Sequence, residues 1–259
     1  MITVTGLATT PVKGTRLQSV EAVSLGREGA RDNRRFYVID DRDRMLNAKQ
    51  LGALVSVVAQ YGAEERRLAL TFPGGEVVEG VVSVGDAVQT RFFSRMTPAR
   101  LVEGPWSTAL SAHCGQPLRL VEADGDATGV DRGRTGGATL ISRASLARLA
   151  SAAGVRDVDE RRFRMLIEID GVEAHEEDSW VGRGTRVGKA LISWDGHVGR
   201  CLVTSRDPDS GQIDLPTLDI LREYRDECAT TEPLPFGIYG AVIEPGAVRV
   251  GDAVSLSPT

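Results

Sequence analysis

The chain of 259 residues, 41% hydrophobic and 26% charged, is long enough to bury one large core or two smaller ones, and its length favours two domains. A formal net charge of −5 gives no electrostatic footprint for nucleic acid, and no stretch of about 18 uncharged apolar residues is present to cross a membrane. Three cysteines (Cys114, Cys201 and Cys228) are too few and too odd in number for a secreted disulfide framework, and no basic n-region precedes an apolar run, so a reducing, cytoplasmic setting is expected.

In chain order, alternating or β-branched runs predict strands over 2–7, 35–39, 54–59, 68–72 and 77–84, then over 163–169, 189–194, 202–204 and 238–243. Clusters of Gly, Pro and Asp separate them. Residues 71–78 read as a hairpin about Pro73-Gly74-Gly75, and Pro245-Gly246 makes a further turn. Three helices are expected: one opened by Pro105 and stopped by Gly115, one over 142–154, and one over 215–225 with Leu215, Leu218, Leu221 and Tyr224 near helical spacing. Their apolar faces suit lids on barrels, and the whole is mainly β with a few helices. VSVGDAV at 82–88 returns as VRVGDAV at 248–254 and, more weakly, as TRVGKAL at 185–191, which predicts barrel corners. A stretch rich in glycine and charge between Val121 and Gly137 marks the boundary of two domains, 1–122 and 123–259, and is also able to order over a site.

Residues 196–211 carry the strongest chemical signal, a cysteine beside an arginine at the start of an apolar run. A thiolate is a nucleophile and a soft metal ligand, and Arg200 beside Cys201 favours the charged form. Spacing alone also allows Cys201 to be a small buried hydrophobe. Other motifs fail. GRGTRVGKA at 182–190 has the wrong glycine spacing for a P-loop and ends on Ala190 where magnesium needs Ser or Thr. DPDSGQID at 207–214 reads as a turn, because Gly211 and Gln212 stand where a calcium loop needs a ligand and its glycine. His197 with Cys201 and His113 with Cys114 lack the paired spacing of a zinc site.

The segment GRCLVTSRDPDSGQIDLPTLDILREYR at 199–225 resembles the cysteine signature of the MOSC family, the molybdenum-cofactor sulfurase C-terminal domains. PVKG at 11–14, RDNRRFYVID at 31–40, ATLISRASLARL at 138–149, RRFRMLIEI at 161–169, EDSW at 177–180 and GAVRVGDAVSL at 246–256 follow the order of members that also carry the family's N-terminal β-barrel-like domain, so the resemblance covers nearly the whole chain. Within the family the chain is most similar to amidoxime-reducing components and their bacterial counterparts.

The resemblance implies an N-terminal β-barrel-like domain followed by a MOSC β-barrel domain, and a molybdenum cofactor (Mo-molybdopterin). By the same resemblance Lys13, Gly14, Arg35, Thr135, Gly136, Arg164, Gly199 and Arg200 contact that cofactor, and Cys201 is the molybdenum ligand, with Arg200 and Cys201 as the catalytic pair. Asp178 in EDSW is expected to hold a site arginine, to relay a proton, or to serve as a turn or cap. The chain departs from the pattern at Met165 and Leu166, where relatives carry Pro and Asn, and at Gly14, Gly136 and Gly199, where they carry small polar residues. No plant-type iron–sulfur segment follows the barrel, so electrons are expected from a separate protein of ferredoxin or cytochrome type. The implied activity is reduction of N-hydroxylated or N-oxygenated small molecules by oxygen-atom transfer. The alternatives are a cofactor-binding or sulfur-carrier module using a Cys201 persulfide, and a binding domain that keeps the fold without molybdenum.

Overall fold

The apolar run that opens the chain becomes strand β1 (Ile2–Thr9), in which Val4 and Leu7 both face a core. Two residues on one face should be two or four apart; the spacing of three is allowed by a bulge between Val4 and Gly6 that shifts the register. The computed structural model describes residues 1–124, 133–226 and 228–256. Half of the glycine-rich stretch expected to hold the domain boundary, and to order over a site, falls at 125–132, outside the described residues.

Short strands follow: β2 (Gln18–Ser19), β3 (Ala22–Gly26), β4 (Gly29–Ala30), β5 (Phe36–Ile39) and β6 (Met45–Leu46). Then come β7 (Val58–Gly62), β8 (Arg67–Thr71), β9 (Val77–Val81), β10 (Ser83–Phe92), β11 (Arg95–Glu103), helix α1 (Trp106–Cys114) and β12 (Arg119–Ala123). A five-stranded sheet in the order β10-β11-β12-β5-β6 and the meander β7-β8-β9 enclose Phe36, Leu54, Leu68, Leu70 and Leu120, with Trp106 and Leu110 of α1 plugging the core. The hairpin expected about Pro73 joins β8 to β9.

The second half contains β13 (Ala138–Ser142), α2 (Arg143–Ala153), β14 (Ile167–Asp170), β15 (Gly184–Val187), β16 (Ala190–Gly199), α3 (Thr217–Arg225), β17 (Pro235–Glu244), β18 (Gly246–Arg249) and β19 (Ala253–Leu256). Seven strands in the order β14-β13-β17-β16-β15-β19-β1 close on themselves through the β14–β1 pairing. Closure removes exposed strand edges and encloses Leu140, Ile169, Trp180, Ile192, Trp194 and Ile238. The first strand of the chain is therefore a stave of the second barrel, and β18 pairs with β3 to tie the halves together a second time. Helix α2 crosses between the parallel strands β13 and β14, and packs with α3 on the outer face over Phe163 and Phe236. Ser142 caps α2 by accepting from Ser145 N, and Gly115 and Gly154 end α1 and α2 in left-handed geometry, as their sequence positions predict.

Four expectations are corrected. Residues 52–56 and 202–205 form 3₁₀ turns, because Val57 N donates to Leu54 O and Thr204 N to Cys201 O; apolar content alone does not separate a buried turn from a strand. The run at 163–169 begins as a 3₁₀ turn, and its strand starts only at Ile167. Of the three glycine repeats, 185–191 and 248–254 are turns between strands, whereas 82–88 lies within β10 as a bulge opposite β11. No helix of the described residues is long and apolar enough to cross a membrane.

Candidate active site

Strand β16 ends at Gly199 and delivers Arg200 and Cys201 to the rim of the second barrel. The Cys201 side chain is exposed there and lines a pocket of about 260 Å³ between the halves. The 3₁₀ turn that follows holds it, with Thr204 Oγ1 donating to Cys201 O at 3.0 Å. Arg200 runs along the pocket wall, but its guanidinium head sinks between β17 and the 160–163 turn. Its Nε donates to Phe236 O at 2.8 Å, Nη1 to Phe163 O at 2.9 Å, and Nη2 to Phe236 O and to Met165 Sδ. The Phe163 ring lies 5.2 Å from the guanidinium. Burial pulls the Arg200 pKa down to about 9, while the neighbouring Cys201 acts to raise it. All its partners are neutral: no carboxylate of the described residues pairs with it. Gly237 makes this packing possible at φ +78°, since a Cβ there would fall 2.7 Å from Leu140 O and 2.8 Å from the Met165 methyl.

The opposite wall comes from the first half. Lys13 is only 4% exposed, anchored by its N–H to Phe36 O at 2.8 Å, with its ammonium 5.2 Å from the centre of the Phe92 ring. Gly14 follows at φ +94°, a conformation that suits glycine, with Leu54 packed beneath. Arg34 and Arg164 brace the two halves: Arg34 Nη2 donates to Arg164 O at 2.8 Å, and Arg164 Nη2 to Thr15 O at 2.8 Å. Asn47, Lys49, Thr139, Arg162, Thr204 and Tyr239 complete the polar lining. Arg162 forms a bidentate pair with Asp214, both bonds 2.6 Å. Among the described residues, no Asp or Glu lines the pocket.

Seven residues singled out in the sequence meet at this pocket: Lys13, Gly14, Gly136, Arg164, Gly199, Arg200 and Cys201. Two do not line it. Arg35 turns away to donate to Glu122 Oε1 at 2.6 Å and to Asp32 Oδ1 at 3.1 Å, and Thr135 is exposed and outside the lining. Sequence reasoning missed Arg34, whose φ of +55° sends it, and not its neighbour, towards the pocket. It also passed over a usable signal in Lys49, since two of the three lysines in the chain are found here.

Met165 and Leu166 are both buried, the first supplying a thioether acceptor to Arg200 and the second joining the barrel core. The EDSW motif lies elsewhere. Glu177 accepts from Ser142 and Ser145 at the start of α2, Asp178 pairs with Arg225 at 2.5 Å, and Trp180 fills the barrel. The other thiols differ in setting: Cys228 is exposed, and burial raises the Cys114 pKa to about 11. No group of three or more metal-ligating side chains gathers among the described residues.

The model of the MOSC N-terminal beta barrel domain matches residues 1–103, and that of the MOSC domain matches residues 132–255. The chain belongs to the MOSC family. It is similar to the protein named mitochondrial amidoxime-reducing component 1 of Danio rerio, at 29% identity over 97% of this chain and 83% of that protein. The Mus musculus component 1 is 38% identical over 45% of this chain and 35% of that protein, and the Homo sapiens component 2 is 38% identical over 36% and 29%. The matched stretches thus span about a third of those mammalian relatives. The YuaD protein from Bacillus subtilis superposes with a TM-score of 0.52 at 14% identity, covering 98% of this MOSC chain and 94% of that one, a likeness of fold.

Proposed function

We propose that the pocket holds a molybdenum cofactor through Cys201 and that the chain is an oxidoreductase acting on N-hydroxylated or related N-oxygenated small molecules. The observation that carries this reading is an exposed cysteine beside a buried guanidinium that no carboxylate of the described residues answers, in a pocket lined by cations. MOSC membership and relatives named for amidoxime reduction direct the choice of cofactor and substrate.

The residues fit a phosphorylated pterin dithiolene. Its phosphate brings roughly two negative charges, which guanidinium and ammonium groups recognise. Lys13, Arg34, Arg164 and Arg200 would hold the anionic groups, Gly14, Gly136 and Gly199 would allow close main-chain approach, and Cys201 Sγ would be the protein ligand to the metal. Arg35 and Thr135 stand outside the lining, so the proposed cradle takes Arg34 in place of Arg35. When bound, the cofactor supplies a two-electron centre able to take oxygen from nitrogen. The chain does the rest: Arg200 places a positive charge in the wall beside Cys201, and the pocket-lining hydroxyls of Thr204 and Tyr239 orient a substrate N–OH by hydrogen bonding. The net reaction consumes two electrons and two protons and releases water, with the electrons delivered by a separate protein of ferredoxin or cytochrome type.

Given a chemical reductant, molybdenum-loaded protein is expected to convert benzamidoxime to benzamidine over many turnovers without a sulfur donor. The exposure of Cys201 also suits a persulfide, which makes a sulfur carrier the second reading. A carrier would release sulfur at most once per Cys201 and form no amidine. Absence of amidine from demonstrably molybdenum-loaded protein overturns the reductase reading in favour of the carrier.

A further inference from the structure

The tip of the β10–β11 hairpin is built against local preference. A two-residue turn joins Phe92 to Arg95, and its first position, Phe93, adopts φ +56°, a left-handed geometry that hairpins usually give to Asn, Asp or Gly. Phe93 does no work in the core. That role belongs to Phe92, fully buried with its ring 5.3 Å from Tyr37, 5.2 Å from the Lys13 ammonium and 5.0 Å from the Arg95 guanidinium. Phe93 meets Phe92 edge to face at 5.5 Å, stands 52% exposed, and lines the same pocket as Cys201. The pocket therefore has two chemistries: buried cations within, and an exposed aromatic face at its mouth, reached from the other half of the molecule.

We propose that Phe93 is a specificity-determining residue that packs against the aromatic or flat apolar body of the substrate while the N-oxygenated group reaches the Cys201 side. This rests on the reductase reading. Exposed apolar surface at a pocket mouth gains by being covered, and a ring pair of favourable geometry adds to that gain. Small aliphatic N-hydroxy compounds cannot reach the Phe93 face and do not sense it.

The test compares benzamidoxime with acetamidoxime, which replaces the ring by a methyl group, using molybdenum-loaded protein and a chemical reductant. Phe93→Asn suits the left-handed turn and removes the ring; it is expected to lower kcat/KM for benzamidoxime roughly three- to tenfold through KM, leaving kcat and the acetamidoxime values unchanged. Phe93→Tyr restores the preference. Met96→Ala, an exposed apolar residue on the same hairpin that does not line the pocket, leaves both substrates unaffected. Saturation transfer from the protein to the benzamidoxime ring protons, seen in wild type, is lost in Phe93→Asn. An unchanged ratio of the two substrates in Phe93→Asn, or an equal fall for both, overturns the proposal while the reductase reading stands. Failure of loaded wild-type protein to turn over either amidoxime overturns both.

Discussion

Arg35 and Arg200 are both drawn into the protein, and they differ in what faces them. Arg35 and Arg66 share one carboxylate, Glu122, whose oxygens lie 2.6 and 2.8 Å from them. Burial works against the Arg35 charge, yet the Glu122 hydrogen bond and charge outweigh it and raise the Arg35 pKa. Arg200 meets two main-chain carbonyls and a thioether, and its pKa falls. A buried cation answered by a carboxylate is part of the fold; one answered only by neutral acceptors keeps a net charge that an anionic ligand or a thiolate can neutralise. The type of residue is the same in both places, and the partner separates scaffold from site.

The comparison is tested hardest at the residue next to Arg200. Cys201→Ala is expected to take amidoxime turnover to the level of cofactor-free protein while circular dichroism and the urea midpoint stay at wild-type values. Cys114→Ala and Cys228→Ala keep activity within about twofold, since neither thiol lines the pocket. Equal rates in Cys201→Ala and wild type, both made in a host able to synthesise the cofactor, would remove the mechanism.

The answered cluster should respond in stability and not in chemistry. Glu122→Gln leaves two arginines facing a neutral amide and is expected to cost about 2 kcal/mol in urea unfolding. That figure is below the usual cost of a broken buried pair because Arg35 and Arg66 keep part of their solvent. Its kcat should match wild type. A variant as stable as wild type, or one that loses kcat, breaks the distinction.

The smallest effect concerns a third kind of polar group, one with no partner. Neither ring nitrogen of His175 has a hydrogen bond, and the ring packs on Phe236 and Tyr224. Burial, with repulsion from Arg225 and Arg148 outweighing attraction to Asp178, lowers its pKa from 6.5 to about 4. The unfolded chain then takes up the proton first as pH falls, so stability is lost between pH 6.5 and 4 and levels off below that window. With allowance for partial exposure the loss is about 1–2 kcal/mol. His175→Asn, which tolerates the left-handed backbone at this position, should flatten that part of the profile in urea titrations. An acid limb identical to wild type would rule His175 out as its source.

Much of this fold is legible in the sequence because its signals are local. Alternating or β-branched runs mark β1, β5, β8 and β17, and caps mark the helices. Closure of the barrel is not local: β1 pairs with β14 some 163 residues away, and nothing in either strand names the other. The buried 3₁₀ turns at 52–56 and 202–205 were hidden by apolar content that suits strands equally well. At the site, Cys201 with Arg200, and Lys13 with Gly14, were readable from their motifs. The choice between Arg34 and Arg35 was not, because it depends on one backbone angle in a turn. Phe93 was invisible for a related reason: a strand pattern assigns the aromatic pair Phe92-Phe93 one inward and one outward face, but not what the outward face overlooks.

The central claim, that the unanswered cation and its neighbouring thiol hold an anionic molybdenum cofactor, is met most directly by metal and pterin content after gel filtration. Protein would be made in a host able to synthesise the cofactor, as wild type, Arg35→Ala, Arg200→Ala and Cys201→Ala. Wild type and Arg35→Ala should retain stoichiometric molybdenum and pterin. Arg200→Ala should bind some 10- to 100-fold more weakly, as loss of a charge-assisted contact requires, and Cys201→Ala should carry no molybdenum. Wild-type protein without molybdenum, or Arg35→Ala depleted as far as Arg200→Ala, would contradict the account.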